Sequence, residues 1–206
     1  MADIVLTGDT SGAITIAAPA VAGTNTLTLP ASTSTIATTA DVNALTTGKI
    51  LQVVQTVKTD TASITSSSTN TFVDLTGLTV SITPSSASSK VLVTVSASVT
   101  QSTGMLHMML VRDSTNIVVG GSDGSRLSST MSSRFDSSPY TFNNNITAAY
   151  SFLDSPNTTS ATTYKLQGTL GSVYSGTIYI NRTPSSSNVN YAARTTSTIT
   201  VMEVAA

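Results

Sequence analysis

Val91-Leu92-Val93-Thr94-Val95-Ser96-Ala97-Ser98-Val99-Thr100 alternates with a period of two. Val91, Val93, Val95, Ala97 and Val99 share one face; Leu92, Thr94, Ser96, Ser98 and Thr100 share the other. Successive side chains of a strand point to opposite sides. One side is therefore apolar and the other mostly hydroxylated, as in an antiparallel strand half-buried on a core. Leu78, Val80 and Ile82 alternate with Thr79, Ser81 and Thr83 in the same way. Further strand candidates lie at 50–57, 72–75, 105–112, 117–119, 148–153, 164–170, 177–181 and 198–204. Turn chemistry separates them, at Pro84-Ser85-Ser86, Asp113-Ser114-Thr115-Asn116, Asp154-Ser155-Pro156-Asn157 and Thr183-Pro184-Ser185. Roughly eight to ten short strands with almost no helical periodicity predict an all-β fold, an antiparallel β-sandwich or jelly-roll-like domain. Residues 120–145, rich in Gly, Ser and Asn, read as a long excursion from it.

Composition points the same way. Charged residues are 9% of the chain, against a usual quarter, while Ser and Thr together number 72 of 206. Mean hydropathy is nonetheless positive, at +0.20. A net charge of -1 excludes nucleic-acid binding by phosphate neutralisation. A single glutamate, Glu203, excludes a coiled coil. Without cysteine there is no disulfide framework and no thiolate metal site. No run of about 18 apolar residues appears, so no transmembrane helix and no membrane insertion are expected. Residues 1–8 lack the basic and apolar regions of a secretory signal, which predicts a cytosolic product or a particle component assembled in the cytosol.

Residues 1–47 differ in texture. Ala13-Ile14-Thr15-Ile16 and Thr26-Leu27-Thr28-Leu29 read as short strands, closed by Pro19 and Pro30. A threonine N-cap opens a weak helix over 38–45, and Gly48 stops it. Large apolar residues are too few there to bury a core, so the segment must lean on a partner. The expected organisation is an extended N-terminal segment, 1–47, followed by a β domain, 48–206.

No motif proposes chemistry. Gly120-Gly121-Ser122-Asp123-Gly124 matches the letters of a nucleophile elbow, but that motif needs a following helix and a later histidine, and the lone His107 lies upstream. It reads as a flexible turn. The nine aspartates are scattered through different turns, so no catalytic residue, metal site or cofactor is expected. His107, inside Met105-Leu106-His107-Met108-Met109, reads as a packed or subunit-interface histidine. Asn145, Asn157 and Asn181 each open an Asn-x-Ser/Thr triplet, which this composition produces by chance. Tyr150 and Phe152, two apart, read as core. Tyr140 and Tyr191 stand open between contact and core roles. Arg126, Arg134 and Arg194, in polar loops, either grip an anionic partner or keep the surface soluble.

Ser11-Gly12-Ala13-Ile14-Thr15-Ile16-Ala17-Ala18-Pro19, continuing to Thr26-Leu27-Thr28-Leu29-Pro30, resembles the N-terminal segment of tail-fibre and other virion structural proteins of bacteriophages, particularly aquatic ones. Gly48-Lys49-Ile50-Leu51-Gln52-Val53-Val54-Gln55, residues 155–164 and Ser197-Thr198-Ile199-Thr200-Val201-Met202-Glu203 are similar to the C-terminal head of such fibres. The resemblance implies a homotrimeric virion fibre, assembled in the host cytoplasm, whose residues 1–47 dock on other virion proteins. Its β head would contact a host surface glycan or outer-membrane component. No family site residue carries over; Arg126, Arg134, Tyr140 and Tyr191 are the candidate receptor-binding residues. A capsid decoration or head-fibre protein without receptor binding is the alternative. A polysaccharide depolymerase is a third reading, set against the chain's poverty in carboxylates.

Overall fold

The computed structural model describes residues 4–7, 13–16, 49–67, 70–134, 145–171, 174–185, 188–190 and 192–206. The chain divides into two compact units, Met1–Val42 and Asn43–Ala206. In the first, strand β1 (Ile4–Thr7) pairs antiparallel with β2 (Ala13–Ile16), Ile4 opposite Ile16. The expected strand over 26–29 and helix over 38–45 lie outside the described residues.

The larger unit is all-β, with no helix among its described residues. Its strands are β3 (Ile50–Lys58), β4 (Ala62–Ser66), β5 (Val73–Ile82), β6 (Lys90–Gln101), β7 (Met105–Arg112), β8 (Thr115–Ile117), β9 (Met131–Arg134), β10 (Ile146–Asp154), β11 (Thr162–Thr169), β12 (Gly176–Ile180) and β13 (Ser197–Val204). Two antiparallel sheets pack together as a sandwich. One carries β3, β13, β6 and β10 side by side, extended at one end by β12 and β4; the other carries β5, β11, β7 and the short β8 and β9.

The order of pairing is that of a jelly roll. β3 pairs with β13, β5 with β11, β6 with β10 and β7 with β9. The chain thus runs out through β3, β5, β6 and β7, and returns alongside itself through β9, β10, β11 and β13. Rolling that long double ribbon brings β13 against β6 and β11 against β7, which closes the two sheets. Eight strands wound in this way make the jelly-roll architecture.

The core lies between the sheets, on the side that the alternation of 91–100 marks as apolar. Val91, Val93, Val95, Ala97 and Val99 are all buried, facing Leu106, Met108, Leu110, Tyr164 and Leu166 of the other sheet. Phe152 packs against this cluster and Tyr150 is half-buried. Two strand candidates, 72–75 and 78–82, prove to be one strand, β5. It is interrupted at Gly77, whose φ of +82° suits the bulge opposite Lys165 and Gln167.

Buried polar groups fasten the layers. Arg112 and Tyr164, cross-strand neighbours in one sheet, both donate to Asp154 of the other: Arg112 Nη1 at 2.8 and 2.9 Å, and Tyr164 Oη at 2.7 Å. Burial and the adjacent carboxylate push the Tyr164 phenol well above its ordinary value, so it stays a donor. Glu203, fully buried on β13, accepts from Ser85 N and Oγ at 2.7 and 2.6 Å and from Gln52 Nε2 at 2.7 Å. It pins the 84–89 turn to the sheet.

Candidate functional site

Two surfaces stand out from this frame. The first is the outer face of the larger sheet. Residues directly opposite in antiparallel pairs point the same way, so the registers define rows across four strands. Val53, Met202, Leu92 and Leu153 form one row; Gln55, Thr200, Thr94 and Ser151 the next; Val57, Thr198, Ser96 and Ala149 the third. No charged side chain occurs in the three rows. Lys90 borders them, its Nζ held by Ser155 Oγ at 2.8 Å. Val53 is 55% exposed, Val57 52% and Leu153 48%. Among the described residues β3 pairs only with β13, which leaves its other edge open, and positions 50–57 hold neither a charge nor a proline. Proteins usually blunt such an edge with lysine, proline or a short strand; this one is nine residues long, and its single lysine, Lys58 at the far end, is buried.

The second surface is a cleft beyond the end of β12. Its walls are fixed from within by Asn181, whose φ of +57° turns the chain out of the sheet. Asn181 Nδ2 donates to the carbonyls of Lys58 and Asp60 at 2.8 and 2.9 Å, and its Oδ1 accepts from Ser197 Oγ at 2.5 Å. Asn181 N bonds Ser98 O, and Thr195 Oγ1 bonds Ser98 Oγ at 2.8 Å. The segments that follow Asn181 and precede Thr195 are therefore both moored to β6, and a single bridge sets Arg182 opposite Arg194.

Like charges directly opposite one another are destabilising, and among the described residues no carboxylate pairs with either arginine. Arg182 is held in place: Nε and Nη2 donate to the Thr183 and Pro184 carbonyls at 3.1 and 3.3 Å, and the guanidinium sits 5.0 Å from the Tyr179 ring centroid. Arg194 is exposed, with one long contact of 3.4 Å from Nη1 to Thr61 Oγ1. The cleft between them holds about 230 Å3 and is lined also by Thr183, Asn188, Val189 and Ala192.

The contact residues expected from the sequence do not converge in one place. Arg126 is exposed and bonded to Asp123 within the turn that follows β8. Arg134 is exposed on β9 opposite Met105. Tyr140 and Tyr191 lie outside the described residues. Of the three loop arginines, Arg126, Arg134 and Arg194, only Arg194 meets a second cation, and nothing in the sequence singles out that partner, Arg182. Ser122 sits in the loop between β8 and β9, where no helix follows among the described residues. His107 lies on the outer side of the smaller sheet opposite Thr169 and Ser132, half-buried, with Nδ1 unpartnered among the described residues; burial lowers its pKa. No group of three or more metal-ligating side chains converges among the described residues. No protein-family model matches the chain, and no curated protein is significantly similar to it.

Proposed function

We propose that the chain is a structural protein of a bacteriophage particle, a homotrimeric fibre whose residues 1–47 dock on other virion proteins and whose β head meets the host surface. One observation carries the assembly part of this reading: the uncharged outer face of the larger sheet, continuous with the open edge of β3. Two copies of a face without charges meet without like-charge repulsion, and an apolar row bordered by polar groups is the anatomy of a protein interface. The partner on this face is a second copy of the chain. The phage part is supported by the resemblance of residues 11–30, 48–55, 155–164 and 197–203 to fibre proteins.

The test is to place charge on this face of the 206-residue chain. Val53→Asp and Leu153→Asp sit on exposed positions and leave the core intact, so each should split the assembly into folded monomers, read by sedimentation velocity and far-UV circular dichroism. Unchanged assembly in both variants overturns the interface. Deleting residues 1–47 should abolish incorporation into particles while leaving the head folded; normal incorporation removes their docking role.

A further inference from the structure

We infer that the cleft between Arg182 and Arg194 is a binding site for the oxyanion of a sugar, a phosphate or carboxylate carried on a saccharide ring. Two guanidinium groups on directly opposed residues, unpaired with carboxylate among the described residues, make a site in want of an anion. Arginine presents its donors in a planar fork that matches both anions. Arg182 is preorganised, since two carbonyls and the Tyr179 ring hold its guanidinium before any ligand arrives. Arg194 is exposed and loosely held, so its fork is the one that closes on the ligand.

The cleft walls narrow the class further. Asn188, exposed, offers hydrogen-bonding groups suited to sugar hydroxyls, and Val189 and Ala192 offer a small apolar patch suited to ring carbons. A volume of about 230 Å3 is below the range of drug-sized pockets, which start near 300 Å3. It suits one anionic ring and leaves a longer chain to run out into solvent. The role of the cleft in attachment rests on the virion reading above; its affinity for anions does not.

The experiment is isothermal titration of the full chain at low ionic strength with glucose 6-phosphate, galacturonate, inorganic phosphate and uncharged glucose. Saturable binding of one or both anionic sugars, with glucose inert, is expected, and which of the two binds tells a phosphorylated from an acidic glycan. Arg194→Gln, which removes only one long contact of the fold, should weaken that binding at least tenfold, and Arg182→Lys should weaken it while keeping the charge. Lys49→Gln, exposed just before β3 at the end of that strand away from the cleft, should leave it unchanged. Absence of saturable binding overturns the site, as does an equal loss in the Lys49 variant. Inorganic phosphate binding as well as glucose 6-phosphate overturns the sugar part. If Arg194→Gln loses the anion but particles bearing it adsorb normally, the attachment role fails and the anion site stands.

Discussion

Tyr164 and Asp154 meet across the gap between the two sheets, the phenol donating to the carboxylate at 2.7 Å from a side chain with no exposed surface. Arg112 completes the contact from the cross-strand neighbour of Tyr164. Removing the hydroxyl alone, in Tyr164→Phe, leaves Asp154 still paired and should cost about 1 kcal/mol. Asp154→Ala strands both donors and should cost about 3 kcal/mol, the lower end for a broken buried pair because Arg112 is partly exposed. Urea unfolding midpoints measure both. Equal losses for the two variants would count against the carboxylate as the common acceptor.

Glu203 gives the fold an acid dependence. Burial opposes its ionisation, but the Ser85, Gln52 and Ser89 side chains and the Ser85 amide outweigh that and bring its pKa down to about 2 from an ordinary 4.5. A carboxyl lowered on folding contributes stability that is complete above pH 4.5 and disappears as pH falls towards 2. The difference amounts to roughly 3 kcal/mol. Asp60 and Asp74 shift in the same direction but are exposed, so their share is small. Glu203→Gln should therefore be less stable at pH 7 and flatter between pH 5 and pH 2.5. An acid profile parallel to that of the unaltered chain contradicts the assignment.

Gly77 and Gly124 both have positive φ, +82° and +56°, yet they differ in surroundings. A Cβ on Gly77 would come within 2.8 Å of Cδ of the buried Lys58, whereas one on Gly124 would meet nothing within 4 Å. Gly77→Ala should lower stability by about 2–3 kcal/mol and Gly124→Ala by about 1 kcal/mol. Thermal unfolding compares them, and a milder loss at Gly77 would show that Lys58 moves aside freely.

Much of the fold is legible in the chain because the sandwich writes its pleat there. Val91 to Ala97 alternates between buried and half-buried, whereas Ser98 and Thr100, on the face read as hydroxylated and wetter, are buried as well, Ser98 beneath Thr195 and Ser197; β7 runs over the residues expected of it. β4 and β9 are not among the expected strands, because Ala62–Ser66 and Met131–Arg134 are short and hydroxyl-rich, with little apolar alternation to mark them. The roll itself is open to sequence reasoning only as a class, since its pairings join distant residues such as Gln52 and Glu203, whose bond spans 151 positions. One local signal does point to a buried network. The only glutamate lies inside Val201-Met202-Glu203-Val204, and a carboxylate in an apolar strand must find buried donors. Asn181, which the sequence offers only as one of three chance triplets, proves to be the mooring of the cleft. Arg182 carries no sign of its role, because its pairing with Arg194 depends on how two loops return to β6.

The solution mass of the 206-residue chain, by multi-angle light scattering, bears most directly on the proposal that this β head is built to assemble with itself. A species of about three times 21.1 kDa is the expected result. A well-behaved single species of 21.1 kDa at micromolar concentration would contradict it, leaving the open edge of β3 and its uncharged face without the partner proposed for them.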